Sequence, residues 1–287
     1  MVKRGIPQRY KRYRSEIIYA PKKSLGQNFL FDKNHLHKIV ACCPVDDKII
    51  IIEIGSGYGN LTNLLAKTDC QKVIGIEKDS QLFQWLIENN KNEKIIYHHQ
   101  DALKINWPEF CSQFKNNSLI VVGNLPYYIT NSLIINLLLD YQLFKSLIFL
   151  VQKEVGQKWV SGSNKYPSEY SALSVFINYL TETKIVAKIP AAVFTPAPSV
   201  DGVLVSIEPH QNVNTSKEQL ISFLRFLKNC FRFRRKTLLN NLLSWARNYE
   251  KEWKKYLQEK GYEEKIRPQN LNPSEYWQLF VFWRGLA

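Results

Sequence analysis

The sequence predicts an α/β protein: a mostly parallel, doubly wound sheet followed by a small helical domain. Three observations predict it. Short β-branched runs alternate with helical patterns through the first two-thirds of the chain, as parallel βαβ units require. A glycine-rich turn, Gly55-Ser56-Gly57-Tyr58-Gly59, separates the first such run from the helix after it. Beyond Glu208-Pro209-His210 the alternation stops, and residues 217–287 keep only helical spacing.

The elements follow in order. Lys48–Ile54 is an apolar strand and Leu61–Ala66 the helix after the glycine turn. Lys72–Glu77 and Ser80–Asn89 repeat the pair, and Ile95–His98 is a third strand. Leu119–Gly123 reads as a buried strand, Ser132–Leu139 as a helix and Leu147–Val151 as a further strand. The polar stretch Gly162–Tyr170 reads as a loop. Lys184–Ile189 and Val203–Ile207 are joined by a Pro-rich loop, Pro190 to Ser199, too short for a helical crossover. They are expected to pair antiparallel at the sheet edge. The expected divisions are a basic extension over 1–20, a sheet domain over 21–209 and a helical domain over 210–287.

Composition narrows the function classes. The chain has 287 residues, 45% of them apolar, enough for one large or two modest cored domains. No apolar run approaches the roughly 20 residues of a membrane span, so no membrane partner is expected. The formal charge is +14, and it is concentrated. Residues 1–23 hold eight basic side chains against Glu16, and Arg225 to Arg247 holds seven and no acid. Such blocks suit a polyanion, although a solvated surface or a loose arm has the same composition. Cys42, Cys43, Cys70, Cys111 and Cys230 show no disulfide or zinc spacing, which argues for a reducing compartment and no metal. The histidine pairs His35/His37 and His98/His99 lack cysteine partners in metal-site spacing and read as surface or edge residues. The N-terminus has no apolar core of a secretory signal. Its arginines suit either an organellar leader or an RNA-contacting arm; the expected location is the cytoplasm, with an organelle left open.

The strand ends carry the chemistry. Glu53-Ile54-Gly55-Ser56-Gly57 has G-x-G-x-G spacing rather than the dinucleotide fingerprint. Glu77 ends the second strand, 22 positions after Gly55, where an acid accepts the hydroxyls of a ribose. Asp101 follows the third strand and can accept from an adenine amine. Three such elements at consecutive strand ends describe an adenosine-bearing cofactor. The absence of a Walker signature favours S-adenosylmethionine over a nucleoside triphosphate, and NAD stays open on these features alone.

Asn124-Leu125-Pro126-Tyr127 closes the fourth strand. Asn-x-Pro is ordinary turn chemistry. It is also what methylation of an exocyclic amine needs. That amine is a poor nucleophile, so the site must supply acceptors for its hydrogens and a flat face for its base. Asn124 Oδ1 and the carbonyls beside Pro126 can accept, and Tyr127 can be the face. A redox enzyme gives this tetrad no task.

With these motifs in order, the chain resembles the small-subunit rRNA adenine N6,N6-dimethyltransferases from about Pro21 to Phe280. The specific pieces are Leu25-Gly26-Gln27-Asn28-Phe29-Leu30, Glu53–Thr62, Asn124–Tyr127, Val151-Gln152-Lys153-Glu154-Val155, Phe194–Asp201 and Arg234-Arg235-Lys236-Thr237-Leu238. The resemblance implies a Rossmann-like S-adenosylmethionine-dependent methyltransferase sheet. It implies a cofactor pocket of Gln27, Asn28, Leu30, Glu53, Gly55, Gly57, Glu77, Asp101, Ala102 and Asn124. It implies that Tyr127 and Phe194 sandwich an extruded adenine, and that Arg232, Arg234, Arg235 and Lys236 contact rRNA. Phe194 by itself suits a core position; its Pro-rich loop favours exposure. The implied reaction is dimethylation of two adjacent adenosines in a hairpin near the 3′ end of small-subunit rRNA, by a monomer acting on a pre-30S-like particle during subunit biogenesis.

The chain departs from the pattern in places. Ser199 stands where Lys is usual, Gly202 where Ser is frequent, and Tyr128 where Asn is common. Ser56 replaces the usual Pro, as in the large-subunit Erm-type relatives, whereas Leu125 and Arg234–Leu238 favour the small-subunit branch. An Erm-type methyltransferase, and a binding factor of the same fold such as a mitochondrial transcription factor or an assembly factor, are the competing readings.

Overall fold

The computed structural model of the chain describes residues 19–162 and 166–286. Six of the eight basic residues counted in 1–23 precede Tyr19, so most of the basic extension lies outside the described residues. So does the centre of the expected Gly162–Tyr170 loop, residues 163–165.

The strands are β1 (Phe29–Leu30), β2 (Ile49–Ile54), β3 (Lys72–Glu77), β4 (Ile95–His99), β5 (Ser118–Asn124), β6 (Ser146–Gln152), β7 (Thr181–Ile189), β8 (Phe194–Thr195) and β9 (Gly202–Pro209). Among them run helices α1 (Lys33–Ala41), α2 (Asn60–Leu65), α3 (Ser80–Asn89), α4 (Trp107–Cys111), α5 (Thr130–Leu139), α6 (Lys153–Trp159) and α7 (Ala172–Leu180). The C-terminal helices are α8 (Lys217–Cys230), α9 (Leu238–Leu243), α10 (Glu250–Glu259) and α11 (Pro273–Leu286).

Seven strands form one sheet in the order β4-β3-β2-β5-β6-β9-β7. β2 pairs in parallel with both β3 and β5, and every residue of β2 is buried. A strand covered on both faces is nearly all apolar, which is why five of its six residues are Ile and Glu53 is the exception. The chain runs outward from β2 to β4, then returns to lay β5 on β2's other side. The strand order therefore reverses between β2 and β5, and the loops after them diverge to leave a crevice at their carboxyl ends.

The expected edge pair is only partly as expected. β7 and β9 are neighbours and β7 is the edge, but β9 is interior and pairs antiparallel with β6. The small β1 and β8 pair antiparallel outside the main sheet, a contact no local pattern announces.

The chain divides into two compact units, residues 1–156 with 184–209, and residues 157–183 with 210–287. The sequence pattern predicts one domain through 21–209. The contacts place 157–183 with the C-terminal helices instead, and the reason is apolar. α7 buries Val175, Phe176, Ile177 and Leu180. Tyr179 stacks on Trp277 of α11 at 4.6 Å and meets Phe223 of α8 edge-on at 5.2 Å. The buried Tyr170 hydroxyl donates to the Leu271 carbonyl at 3.0 Å. Helical spacing across 217–287 is matched by α8 to α11, with Ser216 and Gln219 forming a capping box on α8.

Candidate active site

Two loops build the site, and sheet register sets them side by side. Ile54, the last residue of β2, lies opposite Gly123, one residue before Asn124. The glycine turn and the Asn-Leu-Pro-Tyr tetrad thus leave adjacent strands at the point where the strand order reverses.

The glycine turn folds onto Glu77. Gly57, at φ +58°, points its N–H at Glu77 Oε2 at 2.8 Å. The Asp79 N–H holds Oε1, also at 2.8 Å. Burial raises the Glu77 pKa, although both backbone donors favour the charged form. Asp101 stands two residues past the end of β4. Its Oδ1 accepts from Leu103 N at 3.1 Å, and its Oδ2 pairs with Lys78 Nζ at 2.9 Å. Burial is the largest influence and opposes its charge, but the hydrogen bonds from Lys78 and Leu103 N and the charges of Lys78 and Lys104 together outweigh it, and the pKa falls below the usual value.

A strap from the N-terminal side closes the ring. Lys22 Nζ and Gln27 Nε2 bind the two oxygens of Asp79 at 2.6 and 2.8 Å, and Asp79 itself caps α3. The Asn28 carbonyl then accepts from Asn124 Nδ2 at 2.8 Å. That bond fixes the amide. With its NH2 committed to the strap, Asn124 presents Oδ1 as an acceptor. The Pro126 carbonyl is occupied by Ile129 N at 3.2 Å and by Thr130 Oγ1 at 3.0 Å, so it is not an acceptor for a substrate amine. The Leu125 carbonyl takes no hydrogen bond among the described residues.

One cavity is lined by eleven of the predicted residues: Gln27, Asn28, Gly55, Gly57, Glu77, Asp101, Ala102 and the four of the tetrad. Leu30 and Glu53 are not among its walls. They line a smaller neighbouring cavity with Gly55, Gly57 and Asn124. Glu53 is buried under the glycine turn, 2% exposed, with the Thr62 hydroxyl donating to its carboxylate. Burial pushes its pKa up to about 7.

Phe194 is the clear departure. Its expected exposure is overturned: it is 6% exposed and packs in the core under the sheet. The cause is β8, which sets Phe194 opposite Leu30 of β1 and so draws it inward. Tyr127 is half-buried at the cavity, and burial raises its hydroxyl pKa. Tyr128, beside it, is 52% exposed, with Lys78 Nζ 5.9 Å from its ring centre. Lys78, Gln100 and Tyr128 line the cavity and were not assigned to the site from sequence. Lys78 adjoins Glu77 in the chain, which is the signal that could have found it.

In the helical unit, Arg232, Arg234, Arg235 and Lys236 are all exposed between α8 and α9. Arg232 and Lys236 lie over the Phe233 ring at 5.2 and 4.5 Å, and Arg234 donates to the Ser168 carbonyl.

Fold and comparisons agree on the class, a Rossmann-like methyltransferase. A dimethyladenosine transferase from Plasmodium falciparum superposes with TM-score 0.71, covering 90% of this chain and 98% of that one at 23% identity. The 23S rRNA methyltransferase ErmE superposes with TM-score 0.66, covering 89% and 99% at 21% identity. In sequence, the ribosomal RNA small subunit methyltransferase A of Clostridium perfringens is 38% identical over 265 residues, 90% of this chain and 88% of the relative. That of Staphylococcus haemolyticus is 32% identical over 282 residues, 96% and 94%. The profile of the family described as Ribosomal RNA adenine dimethylase matches residues 19–281. The chain belongs to the ribosomal RNA adenine dimethylase family.

Proposed function

We propose that this chain transfers methyl groups from S-adenosylmethionine to the N6 amines of two adjacent adenosines in a hairpin near the 3′ end of small-subunit rRNA. The observation that carries the reading is Asn124: its NH2 is held by Asn28, so its oxygen is aimed for an amine. The relatives' small-subunit names support the choice of subunit over the Erm-type reading.

The cavity suits this cofactor on its own chemistry. The Gly57 N–H, which a phosphate-binding turn would offer to its ligand, is spent on Glu77. Two carboxylates, Glu77 and Asp101, face one ammonium, Lys78, across the walls. Such a site repels phosphates and accepts an adenosine that carries a positive sulfonium. Glu77 would hold the ribose hydroxyls through its remaining lone pairs, and Asp101 the adenine amine. Bound there, S-adenosylmethionine supplies an electrophilic methyl group.

The chain's own residues do the rest. Asn124 Oδ1 and the Leu125 carbonyl accept the two amine hydrogens and turn the nitrogen lone pair toward the donor. Tyr127 offers a face for the base, which must be unstacked to reach it. Holding the reactants in line is the main source of rate, and no strong base is needed because the alkylated amine sheds its proton readily. Phe194, being buried, is not counted as the second stacking face. The exposed basic segment Arg232–Lys236 would bind rRNA backbone, making the helical unit the rRNA-binding part of a monomer. The particle addressed would be pre-30S-like, and the setting subunit biogenesis in the cytoplasm.

The test is direct. Incubate the protein with unmethylated small subunits and labelled S-adenosylmethionine, then map the label. Two dimethylated adenosines near the 3′ end are expected. Label found only on large-subunit rRNA would overturn the assignment.

A further inference from the structure

The helical unit holds a second cavity, about 1000 Å³, bordered by α9, the turn Arg247–Tyr249, α10 and α11. Its walls include Trp245, Tyr249 and Trp283, and its rim Lys236 and Arg247. We propose that this cavity takes one unstacked nucleotide of the rRNA, its base against the aromatic wall and its phosphate at the basic rim. This rests on the reading above that the substrate is rRNA, and goes beyond contact with the backbone alone.

The wall is preorganised. Trp283 stacks on Phe226 at 5.5 Å, and Trp245 meets Trp283 edge-on at 5.2 Å and Phe226 at 5.8 Å. Both indoles are therefore fixed before anything binds. Tyr249 stacks on no ring among the described residues, so its faces are left for a base. The Trp245 indole N–H is buried, so this indole offers the cavity its ring and not its donor.

The charge selects the occupant. Arg225 to Arg247 contains seven basic residues and no acid. The acid on the cavity wall, Glu250, is tied to Lys254 at 2.6 Å. Among the described residues neither Arg247 nor Lys236 has a carboxylate within ion-pair distance; Lys236 Nζ lies 4.5 Å from the Phe233 ring centre, and Arg247 is near enough to Glu250 to help lower its pKa. Aromatic faces beside exposed cations are the chemistry of single-stranded nucleic acid sites. The rings hold bases of any sequence and the cations hold phosphates.

The two parts of the site predict different signatures. Tyr249→Ala should weaken binding of the full chain to unmethylated small subunits by roughly ten-fold or more and leave the salt dependence unchanged. Tyr249→Phe keeps the ring and should bind like the wild type, which separates stacking from misfolding. Lys236→Ala should lower the salt slope by about one. Ultraviolet crosslinking of the same complex, read by mass spectrometry, should join an rRNA nucleotide to the segment 245–249 or to Trp283. Wild-type binding by Tyr249→Ala, or crosslinks from these residues to a ribosomal protein, would overturn the cavity inference while methyl transfer stands. Failure of the wild-type protein to bind rRNA at all would take down both readings.

Discussion

Asn124 is fixed by a partner 96 positions away, the Asn28 carbonyl. Asn124→Ala removes both the acceptor and the tie to the strap. Methyl transfer should fall by about a hundred-fold or more, as expected when a reactant loses its alignment. Single-turnover assays with labelled donor check it, and transfer at the wild-type rate would show that another residue orients the amine. Glu53 offers a second test. Its pKa, about 7 in the fold, lies above the ordinary 4.5. An acid with a raised folded pKa contributes full stability below the unfolded value and loses it as pH climbs to the folded one. The Glu53 contribution should therefore decline between about pH 4.5 and 7, by up to about 3 kcal/mol. Denaturant melts across that range should show the decline in the wild type and its loss in Glu53→Gln. Parallel pH profiles for the two proteins would mean the carboxyl is not held neutral.

Elements constrain the site through close backbone approach. Gly123 sits where β5 presses on β2: a Cβ there would stand 2.6 Å from the Ile54 carbonyl oxygen. Since backbone cannot swing aside as a side chain can, Gly123→Ala must push the ends of the two strands apart. Both site loops spring from those ends. The variant should lose about 1–3 kcal/mol of stability and also bind S-adenosylmethionine more weakly. Calorimetric melting and titration on one sample measure both; an unperturbed cofactor affinity would argue that the loops are set independently of the strand pair. The same scale explains what local pattern missed. β1 and β8 are two residues each, too short to show alternation, and α6 and α7 fall in stretches to which the sequence pattern assigns no element.

At the scale of the molecule, charge is the long-range actor. Residues 1–18 carry six basic side chains and one acid. If they meet rRNA backbone, their removal weakens binding to small subunits and lowers the salt slope by up to about four. Binding that is unchanged in strength and salt dependence would exclude them from the interface. Among the described residues no helix is long and apolar enough to cross a membrane.

What the sequence determined by itself was whatever local pattern encodes. The β-branched runs and their spacing announced a parallel sheet, because strands buried on both faces are nearly continuous apolar runs. Glu77, Asp101 and Asn124 were legible because each sits at the end of such a run or within three residues of it, and strand ends are where this architecture places ligands. Tertiary structure decided whatever depends on residues far apart in the chain. It turned the Asn124 oxygen into the acceptor through Asn28, and it spent the Pro126 carbonyl on α5. It carried Phe194 into the core through a pairing with Leu30. It also moved 157–183 to the helical unit through contacts such as Tyr170 with Leu271. Periodicity reports which face of an element is apolar; it does not report what that face meets.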